Sequence, residues 1–290
     1  MVGRDHDPVV GIVGLGLIGG SVGLALRGKG TYRVVGYDKD EKTRARALKL
    51  GICDSSSESL ASIAGLSDIL VIAVPTGAIP EVALEAARFM RPGSVLTDVG
   101  SAKAPTLAKI REGLIDGISY VGGHPMAGSE RSGLEAASAA LFRGAVWALT
   151  ADLADERALG KVVSLVRACG AEPLLVEAGQ HDEAVAFTSH LPYFLALSLA
   201  LTCRDKAADL PILNVLNAGG FRGATRLALS EPSVAMDYCL ENAEALLPAL
   251  DEFETRLRRL KVSLSKRDGS TLMSMAAIAR TYLYDTVGIR

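Results

Sequence analysis

The chain has 290 residues, of which 49% are hydrophobic and 22% are charged, and its formal net charge is −2. This length allows one large domain or two ordinary ones, and the apolar content excludes a disordered chain. The 31 basic residues do not exceed the 33 acidic ones, which argues against nucleic acid as a partner because phosphate-binding surfaces usually show a basic excess. The four cysteines are far apart and form no CxxC pair, which predicts reduced, mostly buried thiols in a cytoplasmic protein and no metal site.

Two segments bear on targeting to a membrane. Residues 4–7 carry too much charge for a signal peptide. Residues 184–203 form an uncharged run that is long enough to span a bilayer. This run contains Ser189, His190 and Pro192 near its middle, and a helix that is apolar all round can equally form the centre of a helical domain or of a subunit interface. We favour the second interpretation and expect no membrane partner.

The first half of the chain alternates short apolar runs with helical patterns. Strands are predicted at residues 9–13, 32–38, 68–74, 95–98, 118–121, 145–149 and 173–176, with helices at 17–29, 40–50, 79–89 and 156–169. Continuous Val/Ile runs separated by helices indicate βαβ units and a parallel sheet that is buried on both faces. Beyond residue 177 only helical patterns occur, at 184–203, 233–260 and 271–284. We therefore predict an α/β, Rossmann-type, doubly wound and mostly parallel sheet over residues 1–177, followed by an all-α domain over 178–290.

The sequence Gly14-Leu-Gly16-Leu-Ile-Gly19 directly follows the first predicted strand and opens a helix. In this pattern the first glycine permits a tight turn, the second lets the backbone approach a pyrophosphate, and the third allows close packing of helix and strand. The N-terminus of the helix then offers unpaired N–H groups to the phosphates. The pattern predicts that this turn binds a dinucleotide.

Asp38 ends the second predicted strand, 19 residues beyond the last of these glycines. A carboxylate at this position accepts hydrogen bonds from ribose hydroxyls and repels a 2′-phosphate, which predicts NAD as the cofactor. Lys39 and Arg44 lie nearby and could offset the charge of a phosphate. A solvated cap at the strand end is the alternative for Asp38.

Two polar segments follow later strands, at the edge where open α/β sheets bind ligands. His124 lies in the segment GGHPMAGSE, just past a predicted strand. A neutral imidazole there can take a proton from a hydroxyl while the same carbon loses hydride; a structural histidine held by backbone carbonyls is the alternative. Ser101, in the segment DVGSAK, could hydrogen-bond the substrate oxygen and the imidazole, or could cap the next helix.

The second half of the chain carries further candidate residues. His190 lies inside the uncharged run, so we expect it to be paired, pocket-facing or both, since an unpartnered buried imidazole costs about 1–3 kcal/mol. His181 is equally well explained as a residue at a helix start. Arg222 and Arg226 are four residues apart and would share a helix face. An arginine fork suits a carboxylate, and a surface pair with a glutamate is the alternative.

Taken together, these segments resemble the prephenate and arogenate dehydrogenases, the oxidoreductases of the tyrosine pathway. The similar segments are GLGLIGGS at 14–21, DVGSAK at 98–103, GGHPMAGSERSG at 122–133, FTSHLP at 187–192 and GGFRGATR at 219–226. The resemblance extends over nearly the whole chain, and HPMAGSE with DxGSxK upstream is its most specific part. It implies a nucleotide-binding domain followed by a helical domain that forms an intertwined homodimer, with the active site between the domains.

The resemblance also implies the reaction, which is NAD-dependent oxidative decarboxylation of prephenate to 4-hydroxyphenylpyruvate. In that scheme His124 and Ser101 are catalytic, because the imidazole receives the hydroxyl proton and the serine hydrogen-bonds at the same point. The substrate-binding residues that we predict are Arg226, His190, Ser129, Glu130 and Tyr193. The cofactor-binding residues that we predict are Gly14, Gly16, Leu17, Ile18, Gly19, Asp38, Pro75 and Ser101.

Three departures from the family pattern surround the substrate end. Tyr193 replaces the second histidine of SHLPH, Gly223 stands where an aspartate is frequent, and Ala235 stands where a tryptophan is common. We favour prephenate, while arogenate or dual specificity stays open. A β-hydroxyacid dehydrogenase or imine reductase is a second interpretation, although such enzymes place a lysine or aspartate where this chain has Ser189 and His190. A catalytically silent NAD-binding module is a third, which the joint presence of the predicted catalytic residues argues against.

Overall fold

The structure, a computed structural model, describes residues 7–128 and 131–288. Ser129 and Glu130, which we predict to bind substrate, and the charged residues 4–6 lie outside the described residues. Contacts divide the chain into two compact units, Met1–Ala243 and Glu244–Arg290. The predicted domain boundary at residue 177 stays a prediction.

A single sheet organises the first unit. Its strands are β1 (Val9–Val13), β2 (Arg33–Tyr37), β3 (Ser55–Ser56), β4 (Ile69–Ile72), β5 (Val95–Asp98), β6 (Ser119–Pro125), β7 (Val146–Leu153) and β8 (Glu172–Leu175). They lie in the order β3-β2-β1-β4-β5-β6-β7-β8, and every pair of neighbours is parallel except β6 and β7. The order of the first six strands is that of doubly wound dinucleotide-binding sheets, so the predicted fold class is confirmed.

Helices cover both faces of the sheet. They are α1 (Leu17–Arg27), α2 (Glu41–Lys49), α3 (Leu60–Leu66), α4 (Ile79–Ala87), α5 (Ala104–Gly113) and α6 (Glu156–Ala168). Successive residues of a strand point to opposite faces, and β4 shows the result: Ile69 and Val71 belong to one hydrophobic cluster, whereas Leu70 and Ile72 belong to another. A strand that is buried on both faces needs a continuous apolar run, which is the pattern that the sequence shows.

Beyond β8 the described residues contain helices and no strand, as predicted. These helices are α7 (Ala178–Val185), α8 (Leu191–Ala207), α9 (Gly219–Thr225), α10 (Pro232–Glu241), α11 (Ala243–Ser265) and α12 (Gly269–Thr281). The first four belong to the first unit, while α12 and nearly all of α11 form the second. The prediction of one helix over residues 233–260 is wrong, because the chain leaves the helical conformation at Asn242, where φ is −106° and ψ is 24°.

The predicted helix over residues 184–203 is interrupted by a π-helical turn, Ala186–His190. Pro192 has no N–H to donate into a regular helical ladder, and the N–H of Leu191 bonds back to the carbonyl of Ala186. The whole stretch, Ala178–Ala207, is long and apolar enough to cross a membrane by length and composition, with 33% of its most apolar window buried. One such helix is weak evidence, because the core helix of a soluble protein passes the same test.

A buried ion pair joins the carboxyl ends of β5 and β6. Lys103 Nζ lies 2.7 and 2.6 Å from the two carboxylate oxygens of Asp98 and 2.8 Å from the carbonyl oxygen of Gly123. Both charged side chains are fully buried. The Tyr120 hydroxyl and the Gly123 N–H also donate to this carboxylate. The pair therefore fixes the loop that follows β5 against the strand that carries His124.

We expect Lys103→Met to destabilise the protein by about 3–5 kcal/mol, because it leaves the Asp98 carboxylate buried without its cation. Chemical denaturation gives the free energy of unfolding. The matched control is Lys109→Met, which removes an exposed pair with Glu241 and should cost less than about 0.5 kcal/mol. Equal losses for the two variants would contradict the structural role of the buried pair.

Candidate active site

The glycine turn between β1 and α1 has the geometry that dinucleotide binding requires. Gly14 has a φ of +92°, and a Cβ on Gly19 would overlap the carbonyl oxygen of Gly14. A Cβ on Gly16, in contrast, would meet nothing within 4 Å. Side chains are thus excluded at the first and third glycines. Space is left at the second, where a pyrophosphate approaches in this motif. No side chain caps α1, so N–H groups of its first turn, those of Leu17 and Ile18 among them, face outward for an anion.

The carboxylate of Asp38 is held against this turn. Its Oδ2 accepts the N–H of Leu15 at 2.9 Å, and its Oδ1 accepts the N–H of Asp40 at 3.0 Å. Arg44 Nη1 donates to the backbone carbonyl of Asp38 at 2.7 Å. The half-buried carboxylate therefore lies at the rim of the glycine turn, as a role in binding ribose hydroxyls requires.

The loops that follow β4 and β5 meet at the same edge of the sheet. Pro75 ends the first of these loops and precedes a short 3-10 helix, Thr76–Ala78. The N–H of Ser101 donates to the Thr76 hydroxyl at 3.4 Å. The alternative role of Ser101 as a cap for α5 is not what the structure shows. The carboxylate of Asp182 caps that helix instead, accepting the N–H of Lys103 at 2.7 Å and that of Ala104 at 2.8 Å.

His124 lies within β6, so the prediction that it follows the strand is wrong. Residues 122–125 pair with β7, and His124 is opposite Ala148; this pairing extends the strand through two glycines that carry no strand propensity of their own. The side chain is 9% exposed. His124 is thus fixed by the sheet rather than by a loop.

A chain of hydrogen bonds leads from His124 into α7. His124 Nδ1 lies 2.9 Å from His181 Nε2, and His181 Nδ1 lies 2.7 Å from Asp182 Oδ1. The imidazole rings meet edge-on, with centroids 5.1 Å apart and planes at 73°. His124 Nε2 has no hydrogen bond to any described residue and is the ring nitrogen left for a substrate.

Burial holds the pKa of His124 well below 6.5, and the nearby His181, Lys103 and His190 act in the same direction. The charged form is disfavoured because the ring has lost most of its contact with water and faces further positive or potentially positive groups. His124 is therefore neutral at physiological pH, as a proton acceptor must be.

Two of the predicted substrate-binding residues are buried beside this cluster. His190 is fully buried, its Nδ1 lies 3.1 Å from the side-chain nitrogen of Asn242, and its ring stacks on Tyr238 at 4.9 Å. Its Nε2 is buried without a hydrogen-bond partner among the described residues. Tyr193 is 4% exposed and meets Tyr238 edge-on. Burial lowers the pKa of His190 to about 4.

The two arginines do not share one regular helix. Helix α9 ends at Thr225, and Arg226 opens a 3-10 helix, Arg226–Leu229, which packs against α8. Arg222 is exposed, with its guanidinium 3.4 Å from the side-chain oxygen of Asn217. Arg226 thus lies just past the end of α9, and both the shared helix face and the role of Arg226 in binding a carboxylate stay predictions.

Sequence reasoning missed the pair His181–Asp182 as part of the site. His181 does lie in the first turn of α7, as predicted for a helix-start residue, but its ring is 4% exposed and hydrogen-bonded at both nitrogens. The available signal was an adjacent histidine and aspartate just after the last strand. Without the fold, nothing in the sequence joins that pair to His124, which is 57 residues away.

The fold and this site define an enzyme of the dehydrogenase class with a dinucleotide-binding sheet. Residues 22–175 match the family model described as prephenate dehydrogenase, nucleotide-binding domain, and residues 177–277 match the one described as prephenate dehydrogenase, dimerization domain. The chain belongs to the prephenate dehydrogenase family. This membership excludes the β-hydroxyacid dehydrogenase interpretation.

Individual relatives carry different substrate names. The chain is 34% identical to the cyclohexadienyl dehydrogenase of Zymomonas mobilis, over 91% of each chain. Prephenate dehydrogenase from A. aeolicus, solved with hydroxyphenyl propionate and NAD+, superposes with a TM-score of 0.88 at 29% identity and covers 94% of this chain and 96% of its own. Arogenate dehydrogenase from Synechocystis gives a TM-score of 0.80 at 26% identity, with coverage of 94% and 97%.

The low pKa of His190 predicts that stability falls in acid. In the folded protein His190 stays neutral down to a pH of about 4. In the unfolded chain a histidine takes up its proton near pH 6.5. The unfolded state therefore binds more protons between these values, and the free energy of unfolding falls as the pH is lowered through this window. Urea denaturation at several pH values should show that His190→Gln reduces this slope by up to about 1.4 kcal/mol per pH unit. An unchanged slope would contradict a neutral, buried His190.

Proposed function

We propose that the chain catalyses the NAD-dependent oxidative decarboxylation of prephenate to 4-hydroxyphenylpyruvate and carbon dioxide in tyrosine biosynthesis. The observation that carries this proposal is the neutral, buried imidazole of His124. Its Nε2 has no hydrogen bond to any described residue, and His124 lies near the carboxyl end of β6, in the same sheet as the strand that precedes the glycine turn. The carboxyl edge of such a sheet is where the substrate of a dinucleotide-dependent enzyme meets its cofactor.

NAD, held by the glycine turn and Asp38, would supply the acceptor for the hydride of the ring carbon that carries the hydroxyl group. His124 Nε2 takes the hydroxyl proton as that hydride leaves. The bond from the ring to the carboxylate then breaks, its electrons make the ring aromatic, and His124 returns the proton to the phenolate oxygen. Because the product is aromatic, the protein has mainly to orient the substrate and to provide one base.

The remaining predicted residues have supporting roles in this proposal. The Ser101 hydroxyl hydrogen-bonds the reacting oxygen. This role is available to it because it does not cap α5. Arg226 binds a substrate carboxylate through its guanidinium fork, and Ser129 and Glu130 are further substrate-binding residues by resemblance to the family. The glycine turn, Asp38 and Pro75 bind the cofactor.

Arogenate, alone or together with prephenate, is the second candidate substrate. It differs from prephenate by an amino group in place of a keto oxygen, so specificity depends on residues at the side-chain end. Tyr193, Gly223 and Ala235 depart from the family pattern at that end, which is the observation that favours keeping arogenate as a candidate. We favour prephenate.

Spectrophotometric measurement of NAD reduction with prephenate and arogenate side by side, repeated with NADP, tests the proposal. We expect turnover with prephenate and NAD, and slower reduction of NADP because Asp38 repels a 2′-phosphate. If neither substrate reduces either cofactor, the proposed reaction is wrong.

The same assay tests the assigned base through His124→Asn. This variant should lose turnover by about 10²–10⁴-fold, the range for a positioned acid–base group, while it keeps its fold and its affinity for NAD. Thr150→Val is the matched control, because its hydroxyl is also buried on the strand next to β6 but has no hydrogen-bond partner among the described residues. Wild-type turnover of the His124 variant would remove this residue from its role.

We also propose a cytoplasmic homodimer. The four cysteines are free thiols, three of them buried, which agrees with a reducing compartment. Large apolar side chains are exposed on helical segments that match the dimerization domain of the family, and exposed apolar patches indicate an interface. Examples that are at least 68% exposed are Leu229 and Leu240 in the first unit and Leu264 and Met273 in the second. Sedimentation equilibrium should give the mass of two chains, and a single-chain mass at micromolar concentration would contradict the dimer.

A further inference from the structure

We propose that His181 and Asp182 are positioning residues that hold the imidazole of His124 with a proton on Nδ1 and a free lone pair on Nε2. The catalytic consequence rests on the proposed function, because it concerns the base of that reaction. The arrangement of protons itself follows from the contacts and is independent of which substrate the enzyme takes.

The assignment starts from the carboxylate of Asp182. Both of its oxygens accept backbone N–H groups, that of Lys103 on Oδ1 and that of Ala104 on Oδ2, at 2.7 and 2.8 Å. A backbone N–H can only donate, so both oxygens act as acceptors. His181 Nδ1 lies 2.7 Å from the same Oδ1. This nitrogen must therefore be the one that carries a hydrogen.

The proton on His181 determines the proton on His124. When the ring carries a single hydrogen, on Nδ1, the lone pair of His181 is on Nε2, which lies 2.9 Å from His124 Nδ1. Two lone pairs at that distance would repel each other, so His124 Nδ1 must donate. His124 then has its lone pair on Nε2, the nitrogen without a partner among the described residues. A neutral histidine in water has both tautomers available, so this selection comes from the protein.

The pair is itself rigidly held. The side-chain nitrogen of Asn242 donates to the backbone carbonyl of Asp182 at 2.8 Å, and the carboxylate fixes the first turn of α5. Lys103 donates its backbone N–H to this carboxylate. Its Nζ donates to the carbonyl of Gly123, the residue before His124. The contacts thus form a closed ring of buried groups from His124 through α7 and α5 back to β6, which leaves the imidazole little freedom to turn.

The alternative is that Asp182 serves only as a helix cap and that His181 only fills space. A cap requires an acceptor side chain and no histidine beside it. It also predicts no preference between the tautomers of His124. The same use of a buried carboxylate to fix a catalytic imidazole occurs in the Ser-His-Asp triads, where loss of the carboxylate leaves the wrong tautomer. Here a second imidazole would transmit that constraint.

The test compares His181→Phe with His181→Gln. Phenylalanine keeps a ring of similar size but cannot accept a hydrogen bond, whereas the glutamine amide oxygen can accept one close to the position of Nε2. We expect His181→Phe to lower kcat by about 10–100-fold, the scale for an outer residue that orients a reacting group, with little change in KM or in NAD affinity. His181→Gln should recover most of the lost activity.

The carboxylate is tested by Asp182→Asn against Asp155→Asn. Asp155 also caps a helix, since it accepts the N–H of Ala158 at the start of α6, but it contacts no histidine. Asparagine keeps one acceptor oxygen and ranks with aspartate as a helix cap, so both variants should remain folded and Asp155→Asn should keep its cap. Only Asp182→Asn should lower kcat, and equal kcat values for the two variants would overturn the positioning role of Asp182.

The tautomer is measured without substrate. Nitrogen NMR of the full protein labelled at histidine should show His124 with its hydrogen on Nδ1, and the resonance should shift toward the other tautomer in His181→Phe. A hydrogen on Nε2 of wild-type His124, or wild-type kcat in His181→Phe, would overturn the proposal. If His181→Phe does not fold, the wild-type spectrum and His181→Gln still decide. Wild-type protein that turns over neither prephenate nor arogenate would instead refute the proposed function and leave the tautomer measurement valid.

Discussion

A lysine ammonium that is fully buried must have its charge neutralised where it lies, because its desolvation costs several kcal/mol. In this protein the Asp98 carboxylate does so, and the pairing folds the five-residue segment after β5 back on itself. The same carboxylate accepts the N–H of Gly123. A Cβ on Gly123 would press against the carbonyl oxygen of Asp98 and the indole nitrogen of Trp147. One ion pair therefore accounts for an aspartate, a lysine and a glycine in two separate motifs, and it fixes the register of His124.

The pair also explains why the cap of α5 comes from far along the chain. It places Lys103 at the cap position, and an ammonium group has only donors, so it cannot accept the N–H groups of the first turn. Asp182 supplies the missing acceptors from the start of the helical region. The cap thereby docks α7 against the sheet and places His181 beside His124. The need to cap the first turn of α5 thus positions the imidazole of His124.

The parts of this fold that were predictable are those with a local cause. The sheet was predictable from continuous apolar runs, and the glycine turn from the spacing of Gly14, Gly16 and Gly19. Both patterns involve residues within a few positions of one another. The break at Asn242 accompanies tertiary hydrogen bonds of its side chain to Asp182 and His190, which helical periodicity does not register. The inclusion of His124 in β6 likewise depends on pairing with β7, a partner that follows 20 residues later.

His181, His190 and Lys103 all lie close to His124. These neighbours determine how strongly His124, the proposed base, can bind a proton. Burial and these neighbours disfavour a positive charge on His124, so the pKa of His124 lies well below 6.5. A base with a low pKa is always available but binds a proton weakly. That weakness is acceptable for the proposed reaction, because departure of hydride from the same carbon makes the hydroxyl group strongly acidic and aromatisation makes the step favourable. The site can therefore favour availability and orientation of the lone pair over basicity.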